Sequence, residues 1–469
     1  VHQFRESILD KSKPQLQVEV RVVGSKRLRR SSVEREGDHP AEVLLDGRRP
    51  AFGVSSPPRP TQIRPAVAQV PRKSQSQMSP AEAGSSKLLL DFGSARGCVR
   101  RMVSTGKRVC LIYTGGTIGM IRKRNAEGEM ILQPAQDPGE FLHYLKVEEE
   151  VRAIAELDLV PLMNKDSTNM VPSDWTEMAK AVYERLDRGY TGFVIAHGTD
   201  TMHFSASALA FAFGRNLHVP IVFTGSQTIP DVAHGDARVN LLRAVRTACE
   251  DLAEVVVTFG DYIFRACRVQ KKDERRFDAF ESPAEFPLGY ITEEIVLGNN
   301  VTPRPRSVKP IDFKPNFSDG IVQFSLIPGL KPSVLLPILE QPDCLGIVLQ
   351  SFGAGNVPNA DDYSFRGFIE RAKSLNKPVI IASQFPANST LESHYEPGVE
   401  AVRSGAIPTG NMTNAAATVK FRWTLHQVNE RIARKELPRD SKLSEIARIM
   451  NSSYVGEVNE RKVEIGVGQ

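Results

Sequence analysis

The chain of 469 residues is 41% hydrophobic and carries a formal net charge of +5. That length can bury two or three domains, no apolar run approaches the roughly 20 residues of a membrane span, and so small a mixed charge does not point to nucleic acid. Five scattered cysteines (Cys98, Cys110, Cys249, Cys267, Cys344) without a C-x-x-C pair fit a reduced, cytoplasmic setting in which most act as small buried hydrophobes. No apolar N-terminal segment with a cleavage site is visible, so secretion is not expected. The opening Val1, in place of Met, reads as a fragment or an incomplete gene model.

Residues 1–101 read as a disordered extension. They hold a basic run, Lys26-Arg27-Leu28-Arg29-Arg30-Ser31-Ser32, and a Pro-, Ser-, Gln- and Arg-rich stretch over 55–80 that cannot bury enough surface to offset chain entropy. Arg29 and Arg30 ahead of Ser32 would suit a basophilic kinase or an import receptor, and a solvated charge run is the simpler reading.

The first organised element is the apolar run Val109-Cys110-Leu111-Ile112-Tyr113, a buried strand that empties into Thr114-Gly115-Gly116-Thr117-Ile118-Gly119. The glycines allow a tight turn and close approach of a ligand to the backbone, with the hydroxyl of Thr117 just past the strand end. Residues 123–136 are polar and glycine-containing, suited to a mobile flap. Helical spacing is predicted over 141–157, a short strand over 160–163, and a helix over 172–186 with Ser173 as its N-cap. Strands are expected at 192–196, 219–224 and 254–259, with helices at 202–215 and 236–251 between them. That alternation predicts a parallel sheet covered on both faces, a flavodoxin- or Rossmann-like architecture.

Four prolines over 301–315 mark a stiff connector. A smaller α/β unit is expected after it, with strands near 321–326, 345–350 and 378–382 and a helical stretch from Asn414. The predicted domains are therefore the extension 1–101, a larger α/β domain 102–300, a linker 301–318 and a smaller α/β domain 319–469.

In such sheets ligands bind off the carboxyl ends of the strands. Gly116-Thr117, Ser167-Thr168, His197-Gly198-Thr199-Asp200-Thr201 and Gly225-Ser226-Gln227 all fall there. A threonine hydroxyl becomes a nucleophile only when a base takes its proton. Asp200 and a lysine from Lys271-Lys272 are the usable partners, the lysine only if burial or a neighbouring positive charge lowers its pKa. Two threonines, a carboxylate and a lysine suit acyl transfer at a small amide or ester, with water releasing an acyl-threonine. The chain has no H-E-x-x-H, P-loop or strand-borne G-x-S-x-G motif, and no histidine spacing that suggests a metal site. His197 is read as a packing or hydrogen-bonding residue. Neither a metal nor a cofactor is implied.

These residues resemble a known family. Tyr113-Thr114-Gly115-Gly116-Thr117-Ile118-Gly119-Met120, His197-Gly198-Thr199-Asp200-Thr201-Met202, Thr224-Gly225-Ser226-Gln227, Asn240-Leu241-Leu242 and Phe277-Asp278-Ala279-Phe280 match, in order, the bacterial-type L-asparaginases and most closely their cytoplasmic type I branch. The resemblance runs from Arg108 to the C-terminus. It implies cofactor-free hydrolysis of L-asparagine to L-aspartate and ammonia by a homotetramer built as a dimer of dimers. It also implies Thr117 as nucleophile, with Thr199, Asp200 and Lys271 as the second catalytic group and Lys272 as the fallback. Gly116, Ser167, Thr168 and Asp200 would bind substrate, and Asn356 matches a substrate-facing asparagine supplied by a partner subunit.

Three departures stand against the family pattern. The flap tyrosine is absent from Glu127-Gly128-Glu129-Met130-Ile131, and the Asp-Met-Thr-x-Glu-Ala turn reads Asn411-Met412-Thr413-Asn414-Ala415-Ala416. Gln350 and Phe385 stand at about the places of the arginine and cysteine tied to allosteric activation, so that property is not carried over. Two other enzyme readings are a glutamine-using amidotransferase subunit of similar fold and a lysophospholipase-type relative. A non-catalytic scaffold that kept the fold is the third alternative. Retention of Thr117, Thr199, Asp200 and Lys271 together argues against it.

Overall fold

The computed structural model describes residues 106–124, 128–134, 138–385 and 396–459. The predicted disordered extension lies outside these residues.

Strand β1 (Arg108–Tyr113) is buried along all but its first residue. The described part of the segment expected as a mobile flap lies in a hairpin: β2 (Met120–Arg124) pairs antiparallel with β3 (Met130–Pro134), Met120 opposite Pro134 and Arg124 opposite Met130. The single helix expected over 141–157 is two, α1 (Pro138–Leu145) and α2 (Glu148–Ile154), broken at Lys146, whose φ is 52°. Three glutamates in the first turn of α2 complement the positive end of its dipole.

The next strand, β4 (Glu156–Pro161), starts four residues before the predicted 160–163. It is the edge strand of the sheet, with Leu157 and Leu159 toward the core and Asp158 turned to Arg108 and Tyr190. Its partial burial, with Glu156 exposed at the start, hides it among the charges that precede it. Helix α3 (Pro172–Tyr183) is capped at Val171, not at the predicted Ser173. Pro172 supplies the preset first turn, and Asp174 Oδ2 accepts the Val171 N–H at 2.8 Å.

The remaining elements of the larger unit are β5 (Gly192–Ala196), α4 (Met202–Phe213), β6 (Ile221–Thr224), α5 (Ala237–Thr247), β7 (Val255–Phe259), β8 (Tyr262–Arg265), β9 (Gln270–Lys271), β10 (Phe280–Glu281), β11 (Gly289–Ile291) and β12 (Ile295–Leu297). The described residues form an eight-stranded sheet in the order β12-β11-β8-β7-β6-β5-β1-β4. It is parallel from β4 to β7, as predicted, and continues through three antiparallel strands that the alternation of strands and helices did not reveal.

The smaller unit contains β13 (Ile321–Ser325), α6 (Leu336–Leu339), β14 (Gly346–Ser351), α7 (Arg366–Ser374), β15 (Val379–Ser383), α8 (Glu396–Arg403), β16 (Ile407–Pro408), α9 (Asn414–Ala433) and α10 (Lys442–Met450). Its four strands are parallel, in chain order. The mixed α/β class and the two-sheet organisation agree with the expectation from sequence.

Helix α4 is buried almost all round because it is covered on both sides. One side meets the large sheet; the other meets α9, where Trp423 stacks on Phe211 at 6.0 Å. Phe193, Phe211 and Phe223 share one core cluster with Val419 and Trp423, so a single apolar core runs from one sheet into the helix of the other.

Candidate active site

Four loops at the carboxyl ends of β1, β4, β5 and β6 build the site, which is where an open parallel sheet places ligands. After β1 the backbone turns through Gly115 (φ 110°) and Gly116 (φ 86°), conformations that side-chain-bearing residues rarely adopt. Thr114 holds the turn against β5, its N–H and Oγ1 both donating to Ala196 O at 3.0 and 2.9 Å. Thr117 then opens a single 3-10 turn, Thr117–Gly119.

These loops pack backbone on backbone. A Cβ on Gly116 would collide with N and Cα of Gly198, one on Gly115 would collide with the main chain of Lys165, and one on Gly198 would lie 2.6 Å from Ser167 Oγ. The glycines thus let the turns that carry Thr117, Ser167 and Thr199 meet. Beneath them, the ring of Tyr113 fills the space beside Gly119, with Oη 3.4 Å from Asn164 Oδ1. Burial pushes this phenol up to about 12.

Thr199 and Lys271 are joined directly. Lys271 Nζ donates to Thr199 Oγ1 at 2.9 Å and to Asp200 Oδ1 at 2.6 Å. Thr199 is buried, whereas the Asp200 side chain is 61% exposed, so this carboxylate faces the open side. Pairing of β9 with β10 sets Lys271 opposite Phe280 and turns Lys272 the other way, to Asp278 at 3.4 Å. Strand alternation therefore separates the two lysines that sequence left as alternatives.

Gln227, quoted in sequence only as part of a loop, completes the contact. Its Oε1 accepts from Thr199 Oγ1 at 3.1 Å and its Nε2 donates to Asp273 O at 3.1 Å. Asp236 fixes this loop by accepting the N–H groups of Gln227 and Thr228. The clue available in sequence was a polar amide in a strand-end loop, which does not show what it faces.

Ser167 is buried, and its carbonyl accepts from Thr201 Oγ1 at 2.7 Å, tying the β4 loop to the β5 loop. Thr168 is exposed and donates to Asp166 Oδ1 at 2.6 Å. The hydroxyl and amide of Thr168 hold the Asp166 carboxyl below its ordinary range. Lys165 Nζ and Asp174 Oδ1, 2.6 Å apart, close the base of this loop.

Asn356 lies elsewhere, in the loop after β14, with its N–H on Phe352 O at 2.8 Å and its buried Oδ1 without a hydrogen-bond partner. Among the described residues no hydrogen bond joins it to Thr117 or Thr199. His197 is fully buried and its Nδ1 lies 2.7 Å from Gly198 O; burial pushes the imidazole down to about 4, so it stays neutral and donates there. In the hairpin, Arg122 pairs with Asp231 of the β6 loop at 3.1 Å. Among the described residues no cluster of three or more His, Cys, Asp or Glu could hold a metal, and no helix is long and apolar enough to cross a membrane.

A hydroxyl on a glycine turn, a second hydroxyl touching an ammonium, and a carboxylate on the open side are the parts that acyl transfer at an amide needs. Comparison with known proteins leads to the same chemistry. Residues 108–302 match the family model described as Asparaginase, N-terminal, and residues 321–437 the one described as Glutaminase/Asparaginase C-terminal domain. The L-asparaginase of Thermococcus kodakarensis is 32% identical over 353 residues, covering 75% of this chain and 99% of that protein. A subunit of the glutamyl-tRNA(Gln) amidotransferase of Methanosarcina mazei is also 32% identical, over 369 residues, covering 75% of this chain and 79% of that protein.

Among solved structures, the thermostable L-asparaginase from Thermococcus kodakarensis matches with a TM-score of 0.65 at 29% identity, over 75% of this chain and 99% of that one. L-asparaginase I from Vibrio cholerae matches with a TM-score of 0.63 at 27% identity, over 75% and 99%. With two consecutive family matches spread over both sheets, this chain belongs to the asparaginase family.

Proposed function

We propose that the chain hydrolyses L-asparagine to L-aspartate and ammonia through an acyl-threonine intermediate, without a cofactor. The observation that carries this reading is the hydrogen-bonded set Lys271–Thr199–Gln227, held against the Thr117 turn by the meeting of Gly116 and Gly198.

Thr117 Oγ1 attacks the side-chain amide carbon, its proton passing to the amide nitrogen, and the C–N bond breaks to release ammonia. Donors around the turn stabilise the oxyanion that forms on the way. Thr199 and Lys271 then activate water, which adds to the acyl-threonine ester and releases aspartate while the proton returns to Thr117. An ammonium on Thr199 Oγ1 stabilises negative charge there, and the neutral amine accepts a proton. Ser167 and Thr168 bind the substrate α-carboxylate, Asp200 its α-ammonium and Gly116 the approaching side-chain amide. Asn356, distant in hydrogen bonding from this set, serves a neighbouring subunit's site in a homotetramer built as a dimer of dimers. The catalytic domain spans 102–300, the connector 301–318 and the second domain 319–469, and the protein works in the cytoplasm.

The test is ammonia release by purified protein from L-asparagine and, in parallel, L-glutamine, with Thr117→Ala as control. Saturable asparagine turnover lost in that variant supports the proposal, and none from folded protein overturns it. The equal identity of an amidotransferase subunit favours one second reading, release of ammonia from glutamine for a partner. Turnover of glutamine in preference to asparagine, together with a copurifying second protein, would establish that reading instead.

A further inference from the structure

The chain after α10 is held by Arg268. Arg268 is 3% exposed, and its guanidinium is held on three sides. Nε donates to Gly456 O at 2.6 Å, one terminal nitrogen to Asn459 Oδ1 at 2.8 Å, and the other to Asn411 Oδ1 at 3.1 Å. Asn411 Oδ1 also accepts the Asn459 N–H at 3.0 Å. The guanidinium is a rigid planar fork, so acceptors in three directions fix its plane as well as its place.

The gripping segment is itself anchored. Glu457, fully buried, accepts the N–H groups of Tyr454 and Val455 at 3.0 and 2.7 Å and pairs with Lys420 Nζ of α9 at 2.6 Å. Gly456 has a φ of 83°, and a Cβ there would lie 2.5 Å from an Arg265 terminal nitrogen. The segment from Tyr454 to Asn459 lies beyond residue 437, where the family match ends. It also gives a use to the altered turn, whose Asn411 amide oxygen receives both Arg268 and the C-terminal segment.

Arg268 closes the 3-10 turn Ala266–Arg268 that feeds β9, and Lys271 is the last residue of that two-residue strand. So short a ladder orders itself weakly, and the register of Lys271 depends on what fixes the chain entering it. We propose that Arg268, clamped by Asn411 and by the segment from Tyr454 to Asn459, is a positioning residue for Lys271. This rests on the role proposed for Lys271 in amide hydrolysis.

The test uses the full chain and two variants, Asn459→Ala and Arg268→Lys. Amines are acetylated with acetic anhydride over a pH series, and the rate at Lys271 is read by mass spectrometry against the surface residues Lys314 and Lys331. The expected result is acetylation of Lys271 about threefold faster or more in both variants, as a lost charge-assisted hydrogen bond loosens its strand. Lys314 and Lys331 should not change. In hydrolysis, kcat should fall while KM stays within about twofold, as expected when a group acting after binding is misplaced.

Unchanged Lys271 labelling in folded variants overturns the proposal, as does lowered thermal stability with both labelling and kcat intact. Asn459 is exposed, so Asn459→Ala decides the question if Arg268→Lys does not fold. Labelling needs no substrate. A wild-type protein inactive on both amides would therefore remove the hydrolysis reading while the labelling still decides whether the clamp holds Lys271.

Discussion

Gly116 and Gly198 meet backbone to backbone, leaving no room for a side chain on Gly116, and the residue that follows each is a threonine. Two turns from different strands thereby bring the threonine-bearing loops together. Gly116 also has a φ of 86° and a ψ of 175°, a region that is essentially glycine's alone. Gly116→Ala should cost at least about 2 kcal/mol of stability from strain and reduce ammonia release about a hundredfold or more by separating the turns. Urea melts and steady-state assays on the same preparation check both, and an active, equally stable variant would sink the argument.

The two threonines have separate duties in the proposed reaction. Thr117→Ala should lower kcat about a thousandfold or more, because the proposed ester forms on its hydroxyl. Thr199→Val and Lys271→Met should each lower it on the order of 10²–10⁴-fold through lost proton transfer. Since Lys271 donates to Thr199, the double variant should be little worse than the poorer single one. Additive losses would mean that the two act independently.

Lys420 and Glu457 form an ion pair in which both side chains are fully buried. Burial pushes the Lys420 ammonium below its ordinary pKa, and the adjacent carboxylate opposes that shift. Glu457→Gln leaves a buried charge without its counter-ion and should destabilise the fold by about 3–5 kcal/mol. Lys420→Met combined with Glu457→Gln should recover part of that loss. Thermal melts of the three variants measure it, and a double variant no better than Glu457→Gln would show that the backbone bonds of Glu457 dominate.

Two histidines whose imidazoles burial pushes down, His203 and His197, should make stability fall with acid, and His197 is the one to test. Its imidazole is pushed from 6.5 down to about 4 by burial, so the unfolded chain binds a proton between those values while the folded chain does not. The unfolded state then gains up to about 1.4 kcal/mol per pH unit over that window. Stability is fully present above pH 6.5 and drops as pH falls toward 4. Urea midpoints of wild type and His197→Asn at about pH 7 and pH 5, on either side of the ordinary imidazole range, isolate this contribution. Equal pH slopes in the two proteins would show that His197 is not its source.

Much of the site was legible because strand ends announce themselves. Buried runs such as 109–113 and 192–196 stop abruptly at polar, glycine-bearing loops, and in a parallel sheet those loops gather at one edge. The misses have local causes. Strand β4 lies at the sheet edge with no fully buried residue and an exposed Glu156 at its start, so its charged start reads as part of the preceding helix. The N-cap shifted from Ser173 to Val171 because Pro172 presets the first turn and Asp174 reaches back to the Val171 amide. Gln227 and Arg268 went unassigned because what an amide or guanidinium faces is not encoded in its neighbours along the chain.

Sequence alone determined the α/β class, where along the chain most of the strands that carry the site fall, and which residue types stand at their ends. These follow from hydrophobic periodicity and backbone conformation, which are set within a few residues. Tertiary structure put Lys271 on Thr199 and Lys272 on Asp278, brought Gln227 to Thr199, and joined the C-terminal segment to Arg268. Those outcomes depend on strand register and on contacts spanning tens to nearly two hundred residues, distances over which only packing can choose a partner.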